Sequence, residues 1–197
     1  MRSRELETYL DHYRMVCSEI TEEELSYISD ALSVSVYKPK DFYLSEGQVQ
    51  TSIGFLVSGL IRAFYVDDKG NEITTWFSKE NEYVTDYPAF IRQNPAKFHF
   101  QCIEPSIVVN LPYTDMQEGY SKFKNIELYG RLVAEEVVVL LQSRIESFLF
   151  QNAEQRYLAF MSRNPTLFNR ISLTDLLSYL GIERQSLSRI RKSLTQK

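Results

Sequence analysis

The sequence predicts an α+β protein: an N-terminal antiparallel β-roll (jelly-roll-like) with flanking helices, a long dimerisation helix, and a C-terminal winged-helix-like helix–turn–helix. Three observations predict it. Hydrophobic periodicity is helical over residues 5–32, gives way to short β-type runs over 34–111, and is helical again from about residue 125. The helix that begins there is apolar nearly all round. Positive charge gathers at the C-terminal end, where residues 170–197 carry six cations and two anions in a chain of net charge −4.

The first helical segment repeats Leu6, Tyr9, Leu10, Tyr13 and Val16 at helical spacing. Thr21 and Glu24 then make a capping box, in which hydroxyl and carboxylate satisfy each other's orphan amides. Leu25, Ile28 and Leu32 supply the apolar stripe of the second helix. The β-type runs are Val34–Tyr37, Ile53–Val57, Leu60–Val66, Ile73–Phe77, Phe98–Ile103 and Ile107–Leu111, rich in β-branched and aromatic residues. Turn signals part them at Glu46-Gly47, Ser58-Gly59 and Asp67-Asp68-Lys69-Gly70-Asn71. Short strands at this spacing fit a closed antiparallel roll better than βαβ units.

The long helix, about Asn125 to Gln151, contains Val137-Val138-Val139-Leu140-Leu141, a run that sweeps more than one turn at about 100° per residue. One face can cover the roll, and the other needs a different partner, most simply the same helix of a second subunit. Gly130, Ala134, Val138, Leu141, Ile145 and Phe148 stand at steps of three and four and form the expected seam. The competing reading is a helix wholly buried in one subunit.

After Asn164-Pro165 comes the most specific pattern. Leu173, Leu176, Leu177 and Leu180 give the inner face of one helix, and Gly181 stands where the chain must reverse. Ile182 plugs the gap, while Leu187, Ile190 and Leu194 face inward from a second helix. The outer face carries Arg184, Gln185, Ser188, Arg189 and Lys192, with Ser186 and Arg191 beside them. Arginine donates twice to guanine, glutamine pairs with adenine, and small hydroxyls reach phosphate or base edges. The expected partner is double-stranded DNA; the alternative is a ligand-binding or protein-interaction module that never meets DNA.

Composition agrees. With 44% hydrophobic and 24% charged residues, the 197-residue chain fits a globular protein of one or two domains and excludes a largely disordered one. Its longest aliphatic run, Val137–Leu141, is far short of the roughly 20 residues that span a membrane. The mixed charges of Met1-Arg2-Ser3-Arg4-Glu5 predict no secretory signal and a cytoplasmic location. Cys17 and Cys102 are too few for a disulfide framework or a thiolate cluster.

The order β-roll, long helix, helix–turn–helix resembles the Crp/Fnr family of bacterial transcription regulators over nearly the whole chain. Phe55-Leu56-Val57-Ser58-Gly59-Leu60-Ile61-Arg62, with Gly70 beyond it, is similar to the family's β-roll signature. Ala153-Glu154-Gln155-Arg156-Tyr157-Leu158 is similar to the link after the dimerisation helix, and Gly181–Ile190 to the recognition-helix motif. The resemblance implies a homodimer on a two-fold symmetric operator, a sensor over residues 1–124, a dimerisation helix over 125–151 and a DNA-binding domain over 152–197. By the motif, Arg184, Gln185 and Arg189 fall at base-reading positions and Ser186 and Ser188 on the groove-facing side. A small-molecule effector and RNA polymerase are the further partners it implies. Two departures touch only operator preference: Glu183 replaces the usual Ser or Thr cap, and Gln185 the frequent Glu.

Cyclic-nucleotide-binding members hold ribose with a glycine–glutamate turn and the phosphate with an arginine beside a small hydroxyl residue. Residues 82–98 contain no glycine and no Arg-Ser or Arg-Thr pair, which argues against cyclic AMP. Asp86 could stand for the ribose acid, and Lys97 is the cation nearest the phosphate position. An alternative pocket for an apolar or planar effector draws on Trp76, Phe77, Tyr83, Tyr87, Phe90, Phe98 and Phe100, against the plainer reading that the aromatics fill the roll. The expected effector residues are Trp76, Tyr83, Thr85, Asp86, Tyr87 and Lys97. No cofactor is expected: a lone histidine, His12 or His99, is a poor basis for haem. One imidazole in the roll is too few for a metalloenzyme centre. Nor is there a Gly-x-Ser-x-Gly elbow or a phosphate-cradling glycine loop, so no enzyme is expected.

Overall fold

The structure, a computed structural model, describes residues 3–194, the side chains of residues 191, 193 and 194 excepted. Helix α1 (Arg4–Val16) begins where Ser3 accepts the Leu6 amide and buries Tyr9, Leu10 and Tyr13. Helix α2 (Glu22–Ala31) begins at the expected capping box. The Glu24 carboxylate also accepts from the backbone and side-chain amides of Asn125, at 3.2 and 3.1 Å. It thereby ties the start of α2 to the start of the long helix.

Eight strands follow: β1 (Ser33–Tyr37), β2 (Phe42–Leu44), β3 (Ser52–Ser58), β4 (Ile61–Val66), β5 (Glu72–Ser78), β6 (Tyr83–Val84), β7 (His99–Cys102) and β8 (Ser106–Pro112). They form two four-stranded sheets, β1-β8-β3-β6 and β2-β7-β4-β5, with every pairing antiparallel. The six longer runs coincide with expected strands. Strands β2 and β6 were not expected, since three and two residues are too few to show an alternation.

Helix α3 (Tyr87–Arg92) interrupts the strands between β6 and β7. Its Asp86 cap and Pro88 in the first turn are a legible start signal that the reading of residues 82–98 as a sensor stretch passed over. After β8 come α4 (Tyr113–Lys122), α5 (Lys124–Phe150), α6 (Ala153–Arg163), a 3-10 turn (Leu167–Asn169), α7 (Leu173–Leu180) and α8 (Arg184–Leu194). No strand follows β8 among the described residues, so the helix pair carries no strand-built wing there. No helix among the described residues is long and apolar enough to cross a membrane.

Alternate side chains of the central strands enter different cores, which is why β3 and β8 read as continuous apolar runs. Ile53, Phe55, Val109 and Leu111 pack under Tyr9, Leu10, Ile28, Ile126 and Tyr129 of the helices. Leu56 and Val108 point the other way, between the sheets, against Ile61, Ala63 and Phe100. A third core lies in the C-terminal helices and reaches the roll through Leu60 and Phe77.

A tyrosine cluster joins α1, β6 and α5. The Tyr83 hydroxyl donates to that of Tyr9 at 3.2 Å and shares a hydrogen bond with that of Tyr129, which also meets His12 Nδ1 at 2.7 Å. The Tyr13 and Tyr129 rings stack 3.6 Å apart. Burial pushes the Tyr9, Tyr13, Tyr83 and Tyr129 phenols well above the ordinary tyrosine value and pulls His12 below the ordinary histidine value. All five groups are therefore neutral near pH 7. Replacing Tyr129 by Phe removes one hydroxyl and leaves two half-buried partners, His12 and Tyr83, short of a bond. It should lower unfolding free energy by about 1–3 kcal/mol in urea titration, and a change within error would show that this network adds nothing to stability.

Candidate nucleic-acid interface

The C-terminal helices begin at Asn152, whose side chain accepts the Gln155 amide while the Gln155 side chain accepts that of Asn152. Helix α6 buries Tyr157 and Phe160, and α7 opposes them with Leu176, Leu177 and Leu180. Ser172 starts α7 by accepting from the Asp175 amide at 3.0 Å. Gly181 ends it at φ +62°, a left-handed conformation, and its amide donates to the carbonyls of Leu177 and Ser178. A methyl group there would also stand 3.1 Å from the Phe148 ring of α5, a tight contact added to the strain of the positive φ.

Ile182 closes the reversal, its amide donating to Leu177 O at 3.0 Å and its side chain entering the helical core. Leu187 donates to Glu183 O at 3.1 Å, which makes Glu183 the first carbonyl of α8. From there the helix is divided cleanly. Leu187 and Ile190 are buried, whereas Arg184, Gln185, Ser188, Arg189 and Lys192 are exposed. These five fall on one side, at steps of one, three, one and three residues. Ser186 is half-buried at the edge of that face. The Arg191 side chain lies outside the described residues.

The helix pair is clasped to the roll through β4 and β5. Arg170 donates to Glu80 and Glu104, each at 2.6 Å, and to the Gly59 carbonyl at 2.9 Å. Buried Arg62 bonds Thr74 at 2.8 Å and pairs with Glu72 at 2.5 Å and Asp175 of α7 at 3.2 Å. Ser178 of α7 accepts from the Thr74 amide at 2.9 Å and donates to the Glu72 carbonyl at 3.3 Å. Sequence reading missed this clasp. Its charged members lie up to 113 residues apart, between Arg62 and Asp175, and no spacing rule links them.

Along α5 exposure rises toward the C-terminal end. Ile126 and Tyr129 are buried, and Ala134 is half-buried. Val138, Leu141, Ile145 and Phe148 are 65%, 51%, 53% and 46% exposed, together with Val139, Leu140, Leu149 and Phe150. Gly130, the first residue of the expected seam, is half-buried. A Cβ there would overlap the Tyr120 hydroxyl of α4, so its small size serves an internal contact.

The six expected effector residues have different surroundings. Tyr83 belongs to the tyrosine cluster under α1, and Trp76 lines a separate cavity between β5 and helices α5–α7. Asp86 is buried and caps α3, accepting from the amides of Ala89 at 3.5 Å and Lys97 at 2.8 Å. Thr85 donates to Gln50 Oε1 at 3.0 Å, and the Gln50 amide group donates to the carbonyls of Ser52 and Val84. Tyr87 and Lys97 are exposed. Gln50, Thr85 and Asp86 thus satisfy one another and the backbone around them. Beside them, between β1, β2 and β3, lies an open groove of about 590 Å³ lined by neutral groups, among them Ser35, Tyr43, Gln50 and Asn110. No cluster of metal-ligating side chains occurs among the described residues.

Residues 34–122 match the cyclic nucleotide-binding domain family. Among solved structures, a putative transcriptional regulator of the Crp/Fnr family from Eubacterium rectale superposes with a TM-score of 0.71 at 15% identity, over 93% of this chain and 87% of that one. The c-di-GMP-responsive global regulator CLP of Xanthomonas campestris gives 0.68 at 12% identity, over 89% and 92%. The catabolite activator protein of Thermus thermophilus gives 0.56 at 16%, over 92% and 86%. At these identities the likeness is one of fold. No curated protein matches the chain.

The clasp has a pH signature. Burial works to raise the Glu80 carboxyl, but Arg170 and the backbone amides of Glu80 and Gly59 together outweigh it and hold the group below its ordinary 4.5. A depressed carboxylate stabilises the docked state above the unfolded value, and that contribution is lost as pH falls through the lower, folded one. Amide exchange in residues 170–190 should therefore quicken relative to the roll as pH drops below about 4.5. Arg170→Ala should produce the same loosening at pH 7, weakening the docking by about 1–2 kcal/mol. Equal exchange in variant and parent would show that the apolar contacts alone hold the pair.

Proposed function

Starting from a chain that carries a cyclic nucleotide-binding domain within the fold of Crp/Fnr transcription regulators, we propose that it is a DNA-binding regulator acting as a homodimer. The observation that carries this reading is the division of α8: apolar residues buried on α6 and α7, and Arg184, Gln185, Ser188, Arg189 and Lys192 exposed along one side. A helix so divided can enter a major groove with its bases-facing side free. Arg184, Gln185 and Arg189 then read base edges, the hydroxyls of Ser186 and Ser188 reach phosphate or bases, and Arg191 and Lys192 neutralise phosphates. Two copies related by a two-fold axis place their helices about 34 Å apart, one turn of the duplex.

The support for the dimer is the exposed end of α5. Eight large apolar side chains stand open between Val138 and Phe150, more than a monomer ordinarily leaves in one place. The seam runs through Ala134, Val138, Leu141, Ile145 and Phe148. The effector is not a cyclic nucleotide held in the usual manner, because Gln50 and Asp86 already meet their own chain's donors and acceptors. No chemistry that would make the chain an enzyme is part of this reading.

Purified protein used to select fragments from genomic DNA should enrich a palindromic site. Affinity for that site should fall steeply with salt on a log–log plot, by about 0.9 per phosphate neutralised. A flat slope would identify an interaction module instead. Arg189→Ala should cost about 1–3 kcal/mol of discrimination at one base pair of each half-site; unchanged preference would remove Arg189 from the reading set. In sedimentation equilibrium, Leu141→Glu should convert a dimer into a folded monomer and abolish operator binding, whereas a monomeric parent would end the dimer reading.

A further inference from the structure

A cavity of about 420 Å³ lies where the roll, the long helix and the helix pair meet, within the size range of small-molecule sites. Its charged lining is one-sided. Lys79, Arg144, Arg156 and Arg163 supply four cations, and Glu82 one carboxylate, which pairs with Lys79 at 3.7 Å. The two half-buried guanidiniums meet only neutral acceptors. Arg144 donates to the Tyr179 carbonyl, and Arg156 to the carbonyls of Leu180, Gln151 and Gly181 at 2.9, 2.6 and 3.4 Å. No carboxylate pairs with Arg144, Arg156 or Arg163 among the described residues.

Charges out of water are ordinarily paired, and here two of like sign lie by one ring, Arg144 at 4.4 Å and Arg156 at 5.2 Å from the Phe148 centroid. Burial pulls the Arg144 guanidinium below its ordinary value, and Arg156 adds to the effect. Aromatic surface surrounds them: the Arg144 guanidinium lies 3.7 Å over the Tyr179 ring, and Trp76 and Phe160 line the same space. Gln151 Oε1, also in the wall, is buried and accepts no hydrogen bond. The walls therefore offer guanidinium N–H donors to an anion and aromatic surface to a planar ring.

We propose that this cavity binds a small aromatic anion, a planar ring bearing a carboxylate or phosphate. A guanidinium fork matches either anionic group through paired N–H donors. The site goes beyond the DNA-binding reading and stands on its own walls whether or not α8 meets DNA. Because those walls come from β5, α5, α6 and α7, occupancy ties the position of the helix pair to that of the roll.

The sequence has one tryptophan, Trp76, and it lines the cavity, so its selectively excited fluorescence reports on occupancy. Full-length protein titrated to millimolar concentrations with 4-hydroxybenzoate and with phenyl phosphate should show a saturable change with at least one of them, and the one that binds identifies the anionic group. The neutral 4-hydroxybenzamide should give none. Arg163, exposed at the rim, can be removed without disturbing the fold, and Arg163→Gln should weaken binding about tenfold. Arg144→Gln should abolish binding and Arg144→Lys restore part of it. No saturable response to either anion, equal binding of the amide, or parental affinity in folded Arg163→Gln and Arg144→Gln would each overturn the proposal.

Discussion

Strand β5 ends its sheet, with β4 on one side and no strand on the other, and an uncovered edge is a liability that folds must manage. Here a helix takes the place of the missing strand. The Ser178 hydroxyl accepts one backbone amide of β5 and donates to one of its carbonyls, much as a neighbouring strand would. Leu60 and Phe77 run into the helical core behind it, and Arg62 and Arg170 bind carboxylates across the junction. The orientation of everything after residue 163 depends on this docking. With α7 held by β5 on one side and packed on α8 by the other, the polar side of α8 has no direction left except solvent.

Helix α5 serves three environments in succession. Its first turns belong to the roll, where Ile126 and Tyr129 are sealed under α1. Farther along, Phe148 and Arg144 lie against the helix pair: Phe148 beneath Gly181, and Arg144 stacked between Phe148 and Tyr179. The remaining side is apolar and open. A single amphipathic stripe could not meet three such demands, and the sequence accordingly shows apolar residues nearly all round.

The polar interior of the sensor makes the opposite point. Gln50, Thr85 and Asp86 close a ring of hydrogen bonds with each other and with the backbone of Ser52, Val84 and Lys97. A self-satisfied cluster is stable without a ligand and holds no free donor for a phosphate. The Arg144 and Arg156 guanidiniums at the junction cavity differ: among the described residues they donate to carbonyls and pair with no carboxylate.

Much of the fold is legible in the sequence alone. The capping box at Thr21 and Glu24, the β-type runs, the glycine reversal at residue 181 and the split between Leu187 or Ile190 and Arg184 or Arg189 are local signals. Each is written within a few residues, where backbone sterics and period alone decide the outcome. Lost from view were the two shortest strands, the role of Gly130 against Tyr120, and the dispersal of the expected effector residues into a tyrosine cluster, a helix cap and a cavity wall. So were the Arg170 clasp and the Arg144–Arg156 cavity. These depend on which side chains arrive together from positions tens of residues apart. Long-range burial and charge pairing, which carry no mark in the linear order, settle that only when the chain closes.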